Sequence, residues 1–241
     1  MSLAVLITGG GRGLGRSLAL AFAREGHRVT VNYKSDAAAA DGVAAELRAL
    51  GAEAETSQAD VSRPAEAQAL VRRAAERWGR LDVLVNNAGI ARDRTILKMT
   101  EAEWREVIET DLNGVFWCLQ AAAKVMAEQR AGAIVNIASL AGARGGVGNA
   151  NYAAAKAGVV GLTKTAAREL GRFNVRVNAV TPGFHPTALS AGVWAKHRDR
   201  ILAEHVLERL VSPDDFARLV LFLCVQESVS GQVFPVESRL A

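Results

Sequence analysis

The chain opens with Leu3-Ala4-Val5-Leu6-Ile7, an apolar run that passes at once into Thr8-Gly9-Gly10-Gly11-Arg12-Gly13-Leu14-Gly15. A continuous apolar run of strand length reads as a strand buried on both faces, the kind found in parallel sheets covered by helices. Leu14, Leu18, Ala21 and Phe22 then recur at helical spacing. A glycine-rich turn therefore joins a buried strand to a helix. Glycine lets the backbone turn tightly and lets a phosphate approach without meeting a Cβ. The helix behind such a turn offers free amides and the positive end of its dipole. The position of the turn between strand and helix makes it a candidate pyrophosphate cradle, with Gly9, Gly13, Leu14 and Gly15 as its candidate contacts.

The alternation continues to the end. Strands are expected at Arg28–Asn32, Glu53–Ala59, Leu81–Val85, Ala133–Ala138, Val175–Val180 and Gln232–Val236. Helices are expected over Asp41–Leu50, Ala65–Trp78, Tyr152–Leu170 and Asp214–Val225, with one longer helix running from Thr100 to Met126. Thr100-Glu101-Ala102-Glu103 matches a capping box at its start. Strand–helix alternation implies right-handed crossovers and a parallel sheet. The expected fold is α/β: a doubly wound Rossmann-type sheet of about seven strands with helices on both faces, in a single domain over 1–241. Ligands in such sheets bind at the carboxyl ends of the strands.

Composition narrows the function classes. The 241 residues are 50% hydrophobic and 22% charged, which is globular and excludes general disorder. The net charge of +4 is scattered, with no run of five like charges, so no nucleic-acid tail is expected, and the longest nearly apolar stretch, Leu219–Val225, is far short of the ~20 residues of a membrane span. The two cysteines, Cys118 and Cys224, have no paired spacing and read as core residues of a cytoplasmic protein. His27, His185, His197 and His205 form no metal pattern, and no metal is expected.

A carboxylate that holds an adenosine ribose 2′-hydroxyl is expected ~20 residues beyond the glycine turn. That region reads Val31-Asn32-Tyr33-Lys34-Ser35, with no acid before Asp36. Arg12 and Lys34 are instead two cations for a 2′-phosphate, which predicts NADP(H) over NAD(H). The bland alternative is a pair of solvated surface cations. Farther on, Tyr152 and Lys156 lie one helical turn apart and share a face. Ser139 follows the carboxyl end of the strand Ala133–Ala138.

With these residues in view, the chain resembles the short-chain dehydrogenase/reductase family. Thr8–Gly15, Asn86-Asn87-Ala88-Gly89, Ser139 and Tyr152-x-x-x-Lys156 carry the resemblance, in order, over essentially the whole chain. Gly89-Ile90-Ala91-Arg92-Asp93, Leu112-Asn113-Gly114-Val115-Phe116 and Val177-Asn178-Ala179-Val180-Thr181-Pro182-Gly183-Phe184 extend it toward the 3-oxoacyl-[acyl-carrier-protein] reductases and the acetoacetyl-CoA reductases.

The resemblance implies NADPH-dependent reduction of a 3-oxoacyl thioester to its 3-hydroxyacyl form. Tyr152 would be the proton donor, Lys156 its activator, Ser139 the residue that orients the carbonyl, and Asn113 the holder of a water beside Lys156. Lowering a tyrosine from ~10 toward neutrality, ~3 units, takes ~4 kcal/mol of differential stabilisation. Asp60 and Val61 would bracket the adenine. Asn86, Ala88 and Gly89 would line the adenosine side, and Pro182, Gly183 and Thr187 the nicotinamide, while Asn87 and Asn178 read as structural ties. Residues 185–210 would form a substrate lid, with His185 either at the substrate mouth or simply packed. Arg130 and Arg172 would meet an acidic acyl carrier protein unless they are plain surface cations, and the apolar face of Trp104–Met126 would build a homotetramer. Two departures stand out: Thr187-Ala188-Leu189 lacks an expected acid, and Val236-Glu237-Ser238-Arg239 replaces a Gly-Gly ending. Two alternatives remain open, a reductase of another ketone or secondary alcohol (polyketide, steroid or sugar) and an inactive nucleotide-binding partner subunit.

Overall fold

In the computed structural model, residues 2–188 and 190–239 are described. Seven strands form one sheet: β1 (Ala4–Ile7), β2 (Arg28–Tyr33), β3 (Ala54–Gln58), β4 (Val83–Asn86), β5 (Gly132–Ile137), β6 (Val175–Thr181) and β7 (Val233–Pro235). Their order is β3-β2-β1-β4-β5-β6-β7, and every pairing is parallel. The chain winds outward from β1 to β3, then returns to place β4 on the other side of β1. That reversal opens a crevice above the carboxyl ends of β1 and β4.

The helices are α1 (Gly13–Arg24), α2 (Ala37–Ala49), α3 (Pro64–Trp78), α4 (Glu101–Ile108), α5 (Gly114–Gln129), α6 (Ala141–Arg144), α7 (Ala150–Leu170), α8 (Ala191–Ala203) and α9 (Pro213–Val225). Alternation along the strands sends neighbouring side chains to opposite faces. On one face Val5, Ile7, Val29, Val31, Val85 and Val135 meet Leu18 and Phe22 of α1, Leu47 of α2 and Phe216 of α9. On the other, Leu6, Leu84, Ile134 and Val177 meet Leu70 of α3, Met126 of α5 and Ala166 of α7. The central strands are buried on both sides, which is why they read as unbroken apolar runs. Cys118 and Cys224 are free and buried, and burial pushes each thiol up to about 12.

Four elements differ from the sequence expectation, one of them the short helix α6, which lies where no element was expected. The second helix begins at Ala37 rather than Asp41, because the Asp36 side chain accepts from the Ala39 amide and caps it there. The long helix from Thr100 to Met126 is not continuous. It starts with the expected capping box but is broken by a π-helical turn, Glu109–Asn113, between α4 and α5. The segment beyond Ser190 carries α8, with non-helical geometry at His197. Leu189, within both the expected lid and the Thr187-Ala188-Leu189 departure, lies outside the described residues, as do Met1, Leu240 and Ala241 at the ends of the 1–241 domain.

Candidate active site

The glycine turn caps the carboxyl end of β1. Gly9 and Gly13 adopt the left-handed region, with φ of +63° and +54°, which L-residues with a Cβ rarely enter. Thr8 ties the turn to the end of β4, its Oγ1 accepting from the Asn87 and Ala88 amides at 2.9 and 3.0 Å. Asn87 Nδ2 donates to the Thr8 and Gly9 carbonyls, so Asn87 is a tie between strand ends. A Cβ on Gly9 would lie 3.0 Å from Ala88 Cα, and one on Gly15 only 2.2 Å from the Gly9 carbonyl oxygen. Gly9, Gly15 and Ala88 therefore form one closely packed floor, and beside it Thr187 approaches Gly13, its Cγ2 placed 3.6 Å from a Cβ built there. Leu14 packs its side chain into the core.

The amino end of α1 has no side-chain cap and no acidic residue in its first turn, and Arg12 stands at its N-cap position. Free amides, a helix dipole and an adjacent guanidinium fit an anionic group such as a dinucleotide pyrophosphate. At the ends of β2 and β3, Lys34 Nζ lies 2.8 Å from Asp60 Oδ2. Burial works against the Asp60 charge, but Lys34 together with the Ser62 hydroxyl and amide holds its carboxyl below the usual range. Lys34 and Asp60, expected to meet different parts of one nucleotide, thus meet each other. Val61 is buried and seats the turn before α5: a Cβ on Gly114 would lie 3.1 Å from its Cγ2. Asn86 faces inward, its Nδ2 donating to Asn136 Oδ1, and Asn136 donates in turn to Thr163 Oγ1, both at 2.9 Å.

The chemistry-bearing side chains gather above β4 and β5. Ser139 follows β5, and its Oγ accepts from the Ala141 amide at 3.2 Å. That bond uses a lone pair and leaves the hydroxyl proton available to donate. Tyr152 and Lys156 come from the first two turns of α7, with Lys156 Nζ 5.5 Å from the Tyr152 ring centre. Lys156 is buried, and its ammonium donates to the Ile137 carbonyl at 3.0 Å.

Asn113 lies at the end of the π-helical turn. Its Nδ2 donates to Glu109 Oε2 at 2.9 Å, across the π-helical turn. The side chain of that turn that faces Lys156 is Asp111, which sequence reasoning missed. Asp111 is fully buried, its Oδ1 accepts from the Ile90 amide at 2.9 Å, and its Oδ2 is 3.2 Å from Lys156 Nζ. Burial raises the Asp111 carboxyl against the pull of Lys156. Burial also penalises the Lys156 ammonium, but Asp111 and Tyr152 outweigh it and raise the lysine. A signal for Asp111 was present. It stands on the stripe Val107, Asp111, Val115, whose two valines are buried, and a charge on an apolar stripe needs a partner.

The opposite wall comes from the loop after β6. Gly183, at φ +80°, packs so that a Cβ would lie 3.0 Å from the Val236 carbonyl. His185 does not face the substrate mouth: it is buried, its Nε2 donates to the Pro182 carbonyl at 2.7 Å, its ring packs 6.0 Å from Phe216, and burial lowers its basicity. The atypical carboxyl end is equally built in. Glu237 pairs with Arg239, lies 3.9 Å from His205 Nε2, and shares Arg239 with Glu204. Asn178 ties β6 to the following chain, donating to the Val229 carbonyl and accepting from the Gln232 amide. Far from the crevice, Arg130 donates to the Arg172 backbone carbonyl at 3.2 Å, and the Arg172 guanidinium lies 4.7 Å from the Phe173 ring centre.

Residues 3–198 match the profile of the short chain dehydrogenase family. The chain is 43% identical over 242 residues to a 3-oxoacyl-[acyl-carrier-protein] reductase of Staphylococcus aureus strain Mu50, covering 100% of this chain and 98% of that relative. It is 44% identical over 238 residues to a 3-oxoacyl-[acyl-carrier-protein] reductase of a Synechocystis species, covering 98% and 95%. Among solved structures, levodione reductase superposes with a TM-score of 0.92 at 35% identity, covering 99% of this chain and 98% of that one.

Proposed function

This chain belongs to the short chain dehydrogenase family, an oxidoreductase acting on a ketone or its alcohol through a nicotinamide cofactor, and we propose that it uses NADPH to reduce a 3-oxoacyl thioester to the 3-hydroxyacyl thioester. The observation that carries the reading is the convergence of Ser139, Tyr152 and a buried, charged Lys156 at the strand ends beside a glycine cradle fit for a pyrophosphate. Similarity to 3-oxoacyl-[acyl-carrier-protein] reductases along the full chain supports the choice of substrate.

Gly9, Gly13 and Gly15 would hold the pyrophosphate against the amides of α1. Arg12 and Lys34 would take a 2′-phosphate, with Lys34 exchanging Asp60 for the stronger anion. Asp60 and Val61 would flank the adenine, and Gly89, Pro182, Gly183 and Thr187 would line the far side. Asn86 supports the site through its backbone, since its side chain is used internally. The cofactor supplies a hydride to the carbonyl carbon when bound. Ser139 donates a hydrogen bond from its hydroxyl to the carbonyl oxygen and orients it, keeping its own proton. Tyr152 gives its phenolic proton to the same oxygen as charge develops there, completing the alcohol. The Lys156 ammonium favours the phenolate left behind. An acyl carrier protein would dock on the Arg130–Arg172 pair, and a homotetramer would form on the face that leaves Trp104 41% exposed.

The test is turnover of purified protein with NADPH or NADH against acetoacetyl-carrier protein, acetoacetyl-CoA, a steroid ketone and a quinone. The proposal expects thioester reduction with kcat/KM favouring NADPH at least tenfold. Turnover confined to the other ketones would replace the substrate, and an NADH preference would refute the role of Arg12 and Lys34. Nucleotide binding without turnover on any ketone would favour a partner subunit.

A further inference from the structure

We propose that Arg239 is a positioning residue for the nicotinamide side of the site. With Glu237 and His205 it clamps the carboxyl tail to the end of α8, and so holds the Gly183 wall and the base of the lid as one unit. The inference rests on Gly183 lining the nicotinamide and on residues 185–210 forming the lid, and it gives the atypical tail a role.

The tail lies directly behind the wall. The Val236 amide donates to the Thr181 carbonyl at 2.9 Å, which carries the strand register past β7. A Cβ on Gly183 would lie 3.1 Å from Glu237 Cβ and 3.1 Å from Val211 Cγ1, as well as 3.0 Å from the Val236 carbonyl. The tail and the segment after α8 thus back onto the same glycine. Beyond it the tail runs along the end of the lid. His205 and Arg239 pair in an antiparallel bridge, and the Val206 and Leu207 amides donate to the Ser238 carbonyl and Oγ at 3.1 and 3.3 Å.

Charge fastens this contact. The Glu237 side chain is 1% exposed and pairs with Arg239. His205 is buried, and its Nδ1 donates to the Ile201 carbonyl at 2.7 Å. That bond turns Nε2 toward Glu237 Oε2, 3.9 Å away. Arg239 also lies 3.8 Å from Glu204 at the carboxyl end of α8. Among the described residues, neither His205 Nε2 nor Glu237 Oε1 has a hydrogen-bond partner. The cluster is therefore held by the charge of Arg239 rather than by a closed hydrogen-bond network, and a buried carboxylate that loses its cation is strongly disfavoured. Ser238 and Arg239 stand where the resemblance implies Gly-Gly, and a glycine ending has no side chain with which to build such a clamp.

The lid has its own break at His197. Ahead of the break Trp194 stacks on Phe184, with ring centres 5.6 Å apart. Beyond it, Ile201, Glu204 and His205 belong to the clamp. Removing the Arg239 charge frees the wall and this second half of the lid together. The glycine turn keeps its own ties to Asn87 and Ala88, none of which involves the tail.

Arg239→Ala and Arg239→Lys in the full chain test this, read by fluorescence titration with NADPH and with 2′-phospho-ADP, the part of the cofactor that meets the glycine turn but not the wall. If loss of the clamp leaves the wall in place about a tenth of the time, affinity for NADPH falls about tenfold in Arg239→Ala. Affinity for 2′-phospho-ADP stays at the wild-type value, and Arg239→Lys, which keeps the cation, recovers most of the loss. Trypsin should cut Arg239→Ala after Arg200 or Arg209 faster than it cuts wild type, since local opening exposes those bonds. General destabilisation weakens both nucleotides alike, so equal weakening of the two, or no weakening of NADPH, overturns the proposal. Arg239→Gln repeats the measurement should the alanine variant be unfolded by circular dichroism. Loss of the fold in both assigns the cluster to stability and likewise overturns the positioning role. Wild type that binds no NADPH overturns the cofactor reading and the nicotinamide role with it, even where cutting quickens. NADPH binding in wild type with unchanged cutting in Arg239→Ala overturns the clamp alone.

Discussion

Substituting Gly15 tests whether the cradle is built as tightly as its contacts indicate. A methyl group at this position would sit 2.2 Å from the Gly9 carbonyl oxygen, 2.7 Å from Asn87 Nδ2 and 2.9 Å from Gly10 Cα. Two of these three neighbours are backbone and cannot rotate aside. Overpacking of this kind costs about 1–3 kcal/mol, and the backbone neighbours place it at the upper end. Displacing Asn87 also strains its bonds to the Thr8 and Gly9 carbonyls, at about 1 kcal/mol each. The better helix propensity of alanine returns about 1 kcal/mol. The net loss for Gly15→Ala is thus about 2–4 kcal/mol, a fall in Tm of roughly 5–15 °C for a protein of this size. Affinity for NADPH should fall at least tenfold, since Gly9 is pushed out of its conformation. Gly161→Ala is the control. It lies within α7 and a Cβ there meets nothing within 4 Å, so it should stabilise by about 0.4–1 kcal/mol. Thermal unfolding by circular dichroism and cofactor titration by fluorescence read both variants. Gly15→Ala with unaltered Tm and cofactor affinity would refute the tight-floor reasoning, as would a Gly161→Ala as damaging as Gly15→Ala.

Three further outcomes follow from the same contacts. Asn136→Ala leaves the buried Asn86 amide without its acceptor and should cost about 2–3 kcal/mol, read as a lower urea midpoint at unchanged slope. Asp60 is held below the ordinary carboxylate range, so its contribution to stability is complete above the unfolded value of ~3.9 and disappears as pH falls through the folded one. Wild type should accordingly exceed Asp60→Asn in stability at neutral pH, with the gap closing in acid denaturation. Charge reversal at Arg130 should raise KM for acyl-carrier-protein substrates and leave that for acyl-CoA unchanged, which steady-state kinetics on the two substrates measures.

The sheet was legible because its central strands are buried on both faces, so Leu3–Ile7 and Leu81–Val85, with Asp82 alone polar, and Ala133–Ala138, with Asn136 alone polar, read as apolar runs without alternation. The glycine turn was legible because its backbone demands leave a compositional mark, and Ser139, Tyr152 and Lys156 because topology delivers them to the strand ends. The π-helical turn was not, since Ile108, Leu112 and Val115 keep a spacing that an uninterrupted α-helix also satisfies. That concealed Asp111, which the turn carries to full burial beside Lys156. The Lys34–Asp60 pair joins residues from neighbouring strands and leaves no local pattern. Neither does the union of Glu204, His205, Glu237 and Arg239, through which the unusual carboxyl end packs against the segment following α8. His185, for which packing and a place at the substrate mouth were both open, is packed against Phe216.

The central claim is that Tyr152 delivers the proton in NADPH-dependent reduction of a carbonyl. Its most direct test compares wild type and Tyr152→Phe for NADPH consumption with acetoacetyl-carrier protein, alongside NADPH binding by fluorescence. The account predicts turnover in wild type, a loss of at least 100-fold in kcat for the variant, in keeping with the ~10²–10⁴-fold worth of a positioned acid, and an unchanged NADPH Kd. A variant that retains full activity, with cofactor binding intact, would contradict it.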